Sequence, residues 1–143
     1  MKKILLKTTA ILLLLAGVIS CGEDKDEVNS LKGTKWKLIE FVKVSEGTTK
    51  IPEPQSDQCY WIIFDSNTTL SGYSSNNGLF GYYQINTQTS TMRINSLSGT
   101  KRGELFDGYF YLDCLSIVNY FELTETSLKL YYSETDYLLF KII

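Results

Sequence analysis

The sequence predicts a mainly β domain, a curled antiparallel sheet or open β-barrel of about eight short strands with one helix. Three observations predict it. After Leu31, apolar and polar residues alternate over short runs for most of the chain, the period of a strand with one buried face. Asn77-Gly78 stands between two such runs, a pairing that tolerates the backbone angles of a tight hairpin. Apolar residues spaced by three and four occur in only one segment, residues 107–119, and that is the helical period.

The elements follow in order. Trp36, Leu38, Val42 and Val44 alternate with Lys35, Lys37 and Lys43 and predict a first strand. A loop over residues 46–58 holds both prolines, and the apolar run from Cys59 to Phe64 follows as a second strand. Asp65-Ser66-Asn67 reads as a turn, because the further acidic ligands of a calcium loop are missing. Residues 69–75 and 79–85 form the two arms of the hairpin, and Met92, Ile94 and Leu97 continue the sheet. Phe110, Cys114, Ile117, Val118 and Phe121 mark the apolar stripe of the helix, with Asp107 placed as its N-cap. Leu128, Leu130 and Tyr132 alternate with Lys129 and Tyr131, and Leu138, Phe140 and Ile142 form the last strand.

Residues 1–20 read as a secretory signal peptide outside this domain. Met1-Lys2-Lys3 and Lys7 precede an apolar run over residues 10–19, and Ser20-Cys21 closes it. The run is too short for a membrane span, which needs about 20 residues. Val18-Ile19-Ser20-Cys21 resembles the bacterial lipobox, in which the Cys thiolate takes a diacylglycerol by thioether formation. Cys21 is therefore the expected lipidation site, and its acyl chains would hold the protein to a membrane at about 0.8 kcal/mol per buried CH₂. Residues 21–30 form a polar tether. Its run Glu23-Asp24-Lys25-Asp26-Glu27 resembles acidic export signals that direct lipoproteins to the outer face of an outer membrane, and it also suits a plain solvated linker. The expected location is the cell envelope, as an outer-membrane lipoprotein, periplasmic or surface-exposed. Residues 31–143 are the folded domain.

Composition narrows the function. Three of the 14 basic residues leave with the signal and no acid does, so 11 basic stand against 16 acidic residues, a balance of −5. Such a domain is not expected to bind nucleic acid, whose phosphates demand a basic surface. The chain has no His, which excludes Ser-His-Asp and Cys-His nucleophile systems and His-ligated zinc. Of the three Cys, lipidation consumes Cys21. Cys59 and Cys114 remain as either a disulfide, in an oxidising compartment, or two separate buried thiols.

The hairpin carries a family resemblance. Ser71-Gly72-Tyr73-Ser74-Ser75-Asn76-Asn77-Gly78-Leu79-Phe80-Gly81-Tyr82-Tyr83 is similar to the S-G-x-x-G-C-N-x-x-x-G-x-Y signature of the META/HslJ-type domain. Ser71, Gly72, Asn77, Gly81 and Tyr83 match, while Ser75 and Asn76 replace the signature's Gly and Cys. Upstream, Leu31-x-Gly33-Thr34-x-Trp36-x-Leu38 resembles the opening L-x-G-T-x-W-x-L. Downstream, residues 97–100 resemble a segment ending in Thr, but the Cys expected shortly after is absent. The likeness spans residues 31–140. It implies a small β-rich envelope domain with a stress or surface role and no established catalytic site. A Cys59–Cys114 bridge cannot be carried over from it, since the family's own cysteine pair is missing. Gly72 and Gly81 then suit close strand approaches or bulges, Asn77 a turn, and Trp36 and Tyr83 the core.

Two constellations remain. Ten Tyr, seven Phe and two Trp make the chain rich in aromatics. If Tyr83 and Tyr132 point inward, alternation sends Tyr82 and Tyr131 outward, where they could contact a glycan or a protein ligand or be covered by neighbouring elements. Glu104, Asp107 and Asp113 surround the helix, but no spacing brings two carboxylates together as an acid-base pair. The sequence thus points to a lipid-anchored, non-enzymatic binding or stress-related structural domain, without cofactor, metal or catalytic residue. The alternative is a small carbohydrate-active or cysteine-dependent enzyme, which a reactive Cys114 would favour.

Overall fold

The computed structural model describes residues 31–143. The signal, Cys21 and the tether lie outside the described residues. Among the described residues, nine strands and one helix follow one another: β1 Lys35–Lys43, β2 Thr48–Lys50, β3 Trp61–Phe64, β4 Thr69–Tyr73, β5 Gly78–Asn86, β6 Thr91–Gly99, α1 Gly108–Ser116, β7 Tyr120–Leu123, β8 Ser127–Tyr131 and β9 Tyr137–Ile142. All strand pairs are antiparallel and belong to one sheet, in the order β2-β1-β3-β4-β5-β6-β7-β8-β9. Six residues of β1 also pair with β9, Trp36 opposite Ile142 through Val42 opposite Tyr137. The sheet therefore curls until its two sides meet, as its alternation predicts.

The inward positions make one core. Trp36, Leu38, Phe41, Ile62, Phe64, Leu70, Tyr83, Met92, Leu128, Leu130, Leu138 and Phe140 are all buried. Two seams depart from simple alternation. A register shift between Leu38 and Glu40 is a bulge that turns Phe41 inward, so Val44, expected on the apolar face, is exposed. Between β6 and β7 only Thr91 and Tyr120 pair. The rest of β6 packs beside α1, whose buried residues are Gly108, Tyr111, Cys114 and Leu115.

The helix differs from its expected form in extent, face and cap. It ends at Ser116, and Phe121 is a buried residue of β7 rather than of a helical stripe. Ile117 is exposed. Asp107 stands at the N-cap position without capping. Its carboxylate accepts instead from the Glu53 backbone N–H at 2.9 Å and pairs with Lys50. Those contacts tie the helix start to β2 and the loop after it.

The ends of the sheet are distinct. At one end, Lys32 bridges Phe64 and its ammonium reaches Asn67 in the β3–β4 turn, and Trp36 Nε1 donates to Leu31 O. The chain enters the fold there. The other end of β4 leads into the β4–β5 turn, on which the segment before α1 is pinned.

Candidate functional site

The pin is a buried polar cluster. Asn77 is 2% exposed. Its Nδ2 donates to Arg102 O and Glu104 Oε1, and its Oδ1 accepts from Thr100 Oγ1 and the Arg102 N–H, all within 2.6–2.9 Å. The Glu104 carboxylate accepts further from Ser74 Oγ and Ser75 Oγ. Burial alone would push the Glu104 carboxyl up, but the bonds from Ser75, Ser74 and Asn77 outweigh it and hold it below its ordinary value of 4.5. A Cβ on Gly108 would collide with Glu104 and Ser75, which explains a glycine at the first helical position. The hairpin is present, yet Asn77 is not among the residues with positive φ. Its turn spans residues 74–77, closed by Ser74 N–H to Asn77 O at 2.8 Å, and Asn77 acts through its side chain.

A cleft of about 350 Å³ lies beside this cluster, with Leu79, Leu97, Arg102, Glu104, Tyr109 and Asp113 among its lining. The fold thus brings Glu104 and Asp113 to one cleft, which no sequence spacing announced. Glu104 is committed to its three donors. No group of three or more His, Cys, Asp or Glu able to hold a metal occurs among the described residues.

Cys59 and Cys114 are two separate buried thiols, so the disulfide alternative is corrected. Their surroundings differ. Cys59 Sγ donates to Ser75 O at 3.3 Å, whereas Cys114 lies on the core face of α1. Burial pushes the Cys114 thiol up to about 12, so it is not the thiolate that nucleophilic chemistry needs.

The larger surface feature is the outside of the sheet. Register places its side chains in rows: Trp61 opposite Tyr73, then Ile63, Ser71, Phe80 and Ser98 across four strands, then Thr69, Tyr82 and Asn95. Tyr73 faces Gly78 directly, so its diagonal neighbour on β5 is Phe80. Phe80 and Tyr82 are 46% and 50% exposed, and their rings meet edge to face at 5.4 Å. The Trp61 indole donates to Gln58 O at 3.1 Å and carries the Lys35 ammonium 4.5 Å from its ring centroid. Gly81, between Phe80 and Tyr82, sits at a register shift opposite β6, where a Cβ would stand 3.1 Å from the Leu97 side chain. Gly72 lets β3 approach, since a Cβ there would stand 2.5 Å from Trp61 O.

Tyr82 therefore belongs to an aromatic strip with Trp61, Tyr73 and Phe80. Tyr131 does not join it. It lies three strands away on β8, half-buried between Tyr120 at 5.3 Å and Tyr137 at 5.1 Å, beside the Lys129–Glu122 ion pair. Sequence reasoning missed Phe80, Tyr73 and Trp61 as companions of Tyr82. Their shared outward parity was available, but which strands neighbour each other was not.

The fold and this face define a small curled antiparallel sheet domain with a helix packed on its open seam and a bare aromatic outer strip. Similar folds are known. A crystal structure of a DUF4847 family protein from Bacteroides vulgatus ATCC 8482 has 15% sequence identity and a TM-score of 0.59, over 78% of this chain and 93% of that one. An NMR structure of a protein from Burkholderia xenovorans has 19% identity and a TM-score of 0.64, over 82% and 87%. At these identities the likeness is one of fold. No family model matches the chain, and no curated protein does.

Proposed function

We propose that the chain is a lipid-anchored envelope protein whose META-like domain binds a ligand on the outer aromatic strip of β3–β6 and catalyses no reaction. The observation that carries this reading is the strip itself: Phe80 and Tyr82 are about half exposed in adjacent rows beside Trp61 and Tyr73. Soluble domains gain little by leaving clustered large rings in water, and such patches mark interaction surfaces. The chemistry of the remaining groups supports binding over turnover. The chain has no His, the Cys114 thiol is buried and raised, and Glu104 is held ionised by three donors when a general acid needs a raised value. The signal, the lipobox ending in Cys21 and the polar tether support the envelope location.

Tyrosine-selective labelling tests the reading. Intact cells and detergent-purified protein are modified in parallel, and labelled peptides are quantified by mass spectrometry. Tyr82 is expected to react in the purified protein and to be protected in the envelope, while the buried Tyr83 and Tyr111 react in neither. Equal modification of Tyr82 in both samples would overturn it.

A further inference from the structure

We propose that the outer strip takes a neutral saccharide chain; this rests on the strip being the binding surface and names its ligand class. The chemistry of the face selects the class. Its outward positions are Trp61 and Ile63 on β3, Thr69, Ser71 and Tyr73 on β4, Gly78, Phe80, Tyr82, Gln84 and Asn86 on β5, and Thr91, Arg93, Asn95 and Ser98 on β6. Arg93 is the single charged residue among them, with the Lys35 ammonium over the Trp61 ring at one end, in a domain where about a fifth of all residues are charged. Half-buried Ile63 is the one aliphatic side chain among them, and that scarcity distinguishes the strip from the apolar centre of a protein interface. A neutral ligand of mixed character matches it: apolar C–H faces to lie on the rings, and hydroxyls to exchange hydrogen bonds at the flanks.

The flanks are supplied for that exchange. The side-chain amides of Asn95 and Gln84 make no hydrogen bond within the described residues, so each offers a donor and an acceptor. Ser71 Oγ donates to Asp65 Oδ1 at 2.9 Å, and Ser98 Oγ donates to Phe80 O at 3.2 Å. Both hydroxyls are thereby turned so that their free lone pairs accept. Phe80 between Ser71 and Ser98, and Tyr82 between Thr69 and Asn95, repeat one pattern: a ring in the middle strand with hydrogen-bonding groups on either side. A repeat along β5 suits an extended chain of similar units better than a single compact ligand. The rows continue to Tyr73 and Trp61, so the strip has more than one ring on which successive units can stack.

Affinity electrophoresis of the full lipidated chain in mild detergent tests the class, through gels containing soluble β-glucan, α-glucan, mannan or xylan, with polygalacturonate as the charged comparison. Retardation in at least one neutral gel is expected. The double variant Phe80→Ala/Tyr82→Ala should lose about tenfold or more in apparent affinity, and Tyr82→Phe, which keeps the ring, should retain most of it. Asn95→Ala serves as the second probe should the double variant fold poorly, with a several-fold loss expected. No retardation in any neutral gel, retardation by polygalacturonate alone, or equal retardation of wild type and variants would overturn the saccharide assignment. The labelling result separates the two claims: Tyr82 protected in the envelope with no saccharide bound leaves the binding face standing and removes its ligand class, and Tyr82 unprotected removes both.

Discussion

Asn77 and Glu104 show how single side chains govern the region between the hairpin and the helix. Asn77 uses both ends of its amide, and Glu104 takes donors from Ser74, Ser75 and Asn77. A half-buried carboxylate in such a nest accepts most strongly while ionised, because protonation weakens its oxygens as acceptors and sets an O–H among donors. The Glu104 carboxyl sits below its ordinary value of 4.5 in the fold. A depressed folded value means a contribution that is complete above the unfolded value and disappears as pH falls through the folded one. Glu104→Gln is therefore expected to lower the urea midpoint at pH 7, and the gap to wild type should narrow as the pH is taken below about 4.5. A gap independent of pH would contradict this. The sequence showed Asn77 as a turn residue and Glu104 as an isolated acid. Their meeting was not legible, because 27 positions separate them and only the fold closes that distance.

At the level of elements, local pattern was informative wherever a strand's own residues bury it. β3 lies in its continuous apolar run, and β4, β5, β8 and β9 follow their alternation, except that Ile142 at the end of β9 is exposed. β2 was unreadable, because Thr48, Thr49 and Lys50 are all exposed and partners on β1, not a pattern of their own, hold them. β7 was hidden because Phe121 continued the helical spacing of Phe110, Cys114 and Val118. The bulge in β1 was also hidden, since an inserted residue changes parity without changing composition. Gly72 and Gly81 were read as close strand approaches or bulges, and the fold has one of each: β3 backbone against Gly72 and a register shift at Gly81. At Gly72 the obstacle is the backbone oxygen of Trp61, which cannot swing aside as a side chain could. Gly72→Ala is expected to cost about 3 kcal/mol and to part β3 from β4, with Trp61 and Tyr73 losing their register. A thermal melt measures the cost, and an unchanged Tm would show that the strands tolerate the added carbon.

For the whole molecule, the fold separates the start of the described chain, the core and the outer surface. The chain enters by the β3–β4 turn, and the Asn77–Glu104 cluster and start of α1 lie toward the β4–β5 turn. Cys21→Ala is expected to release the protein from the membrane fraction on detergent phase separation, and a variant still carrying acyl label would contradict the lipid anchor. The curled sheet and its core were legible in the alternation, whereas the aromatic strip needed the strand order, since Trp61, Tyr73, Phe80 and Tyr82 lie on three strands. The central claim is that these rings serve a ligand and not the fold, and the unfolding free energy of Phe80→Ala/Tyr82→Ala tests it most directly. Two half-exposed rings on one strand, each with small polar cross-strand neighbours, contribute about 1 kcal/mol together, so the denaturant midpoint should fall slightly with an unchanged slope, while a loss of about 3–5 kcal/mol, the scale of a core aromatic, would place both rings in the service of the fold.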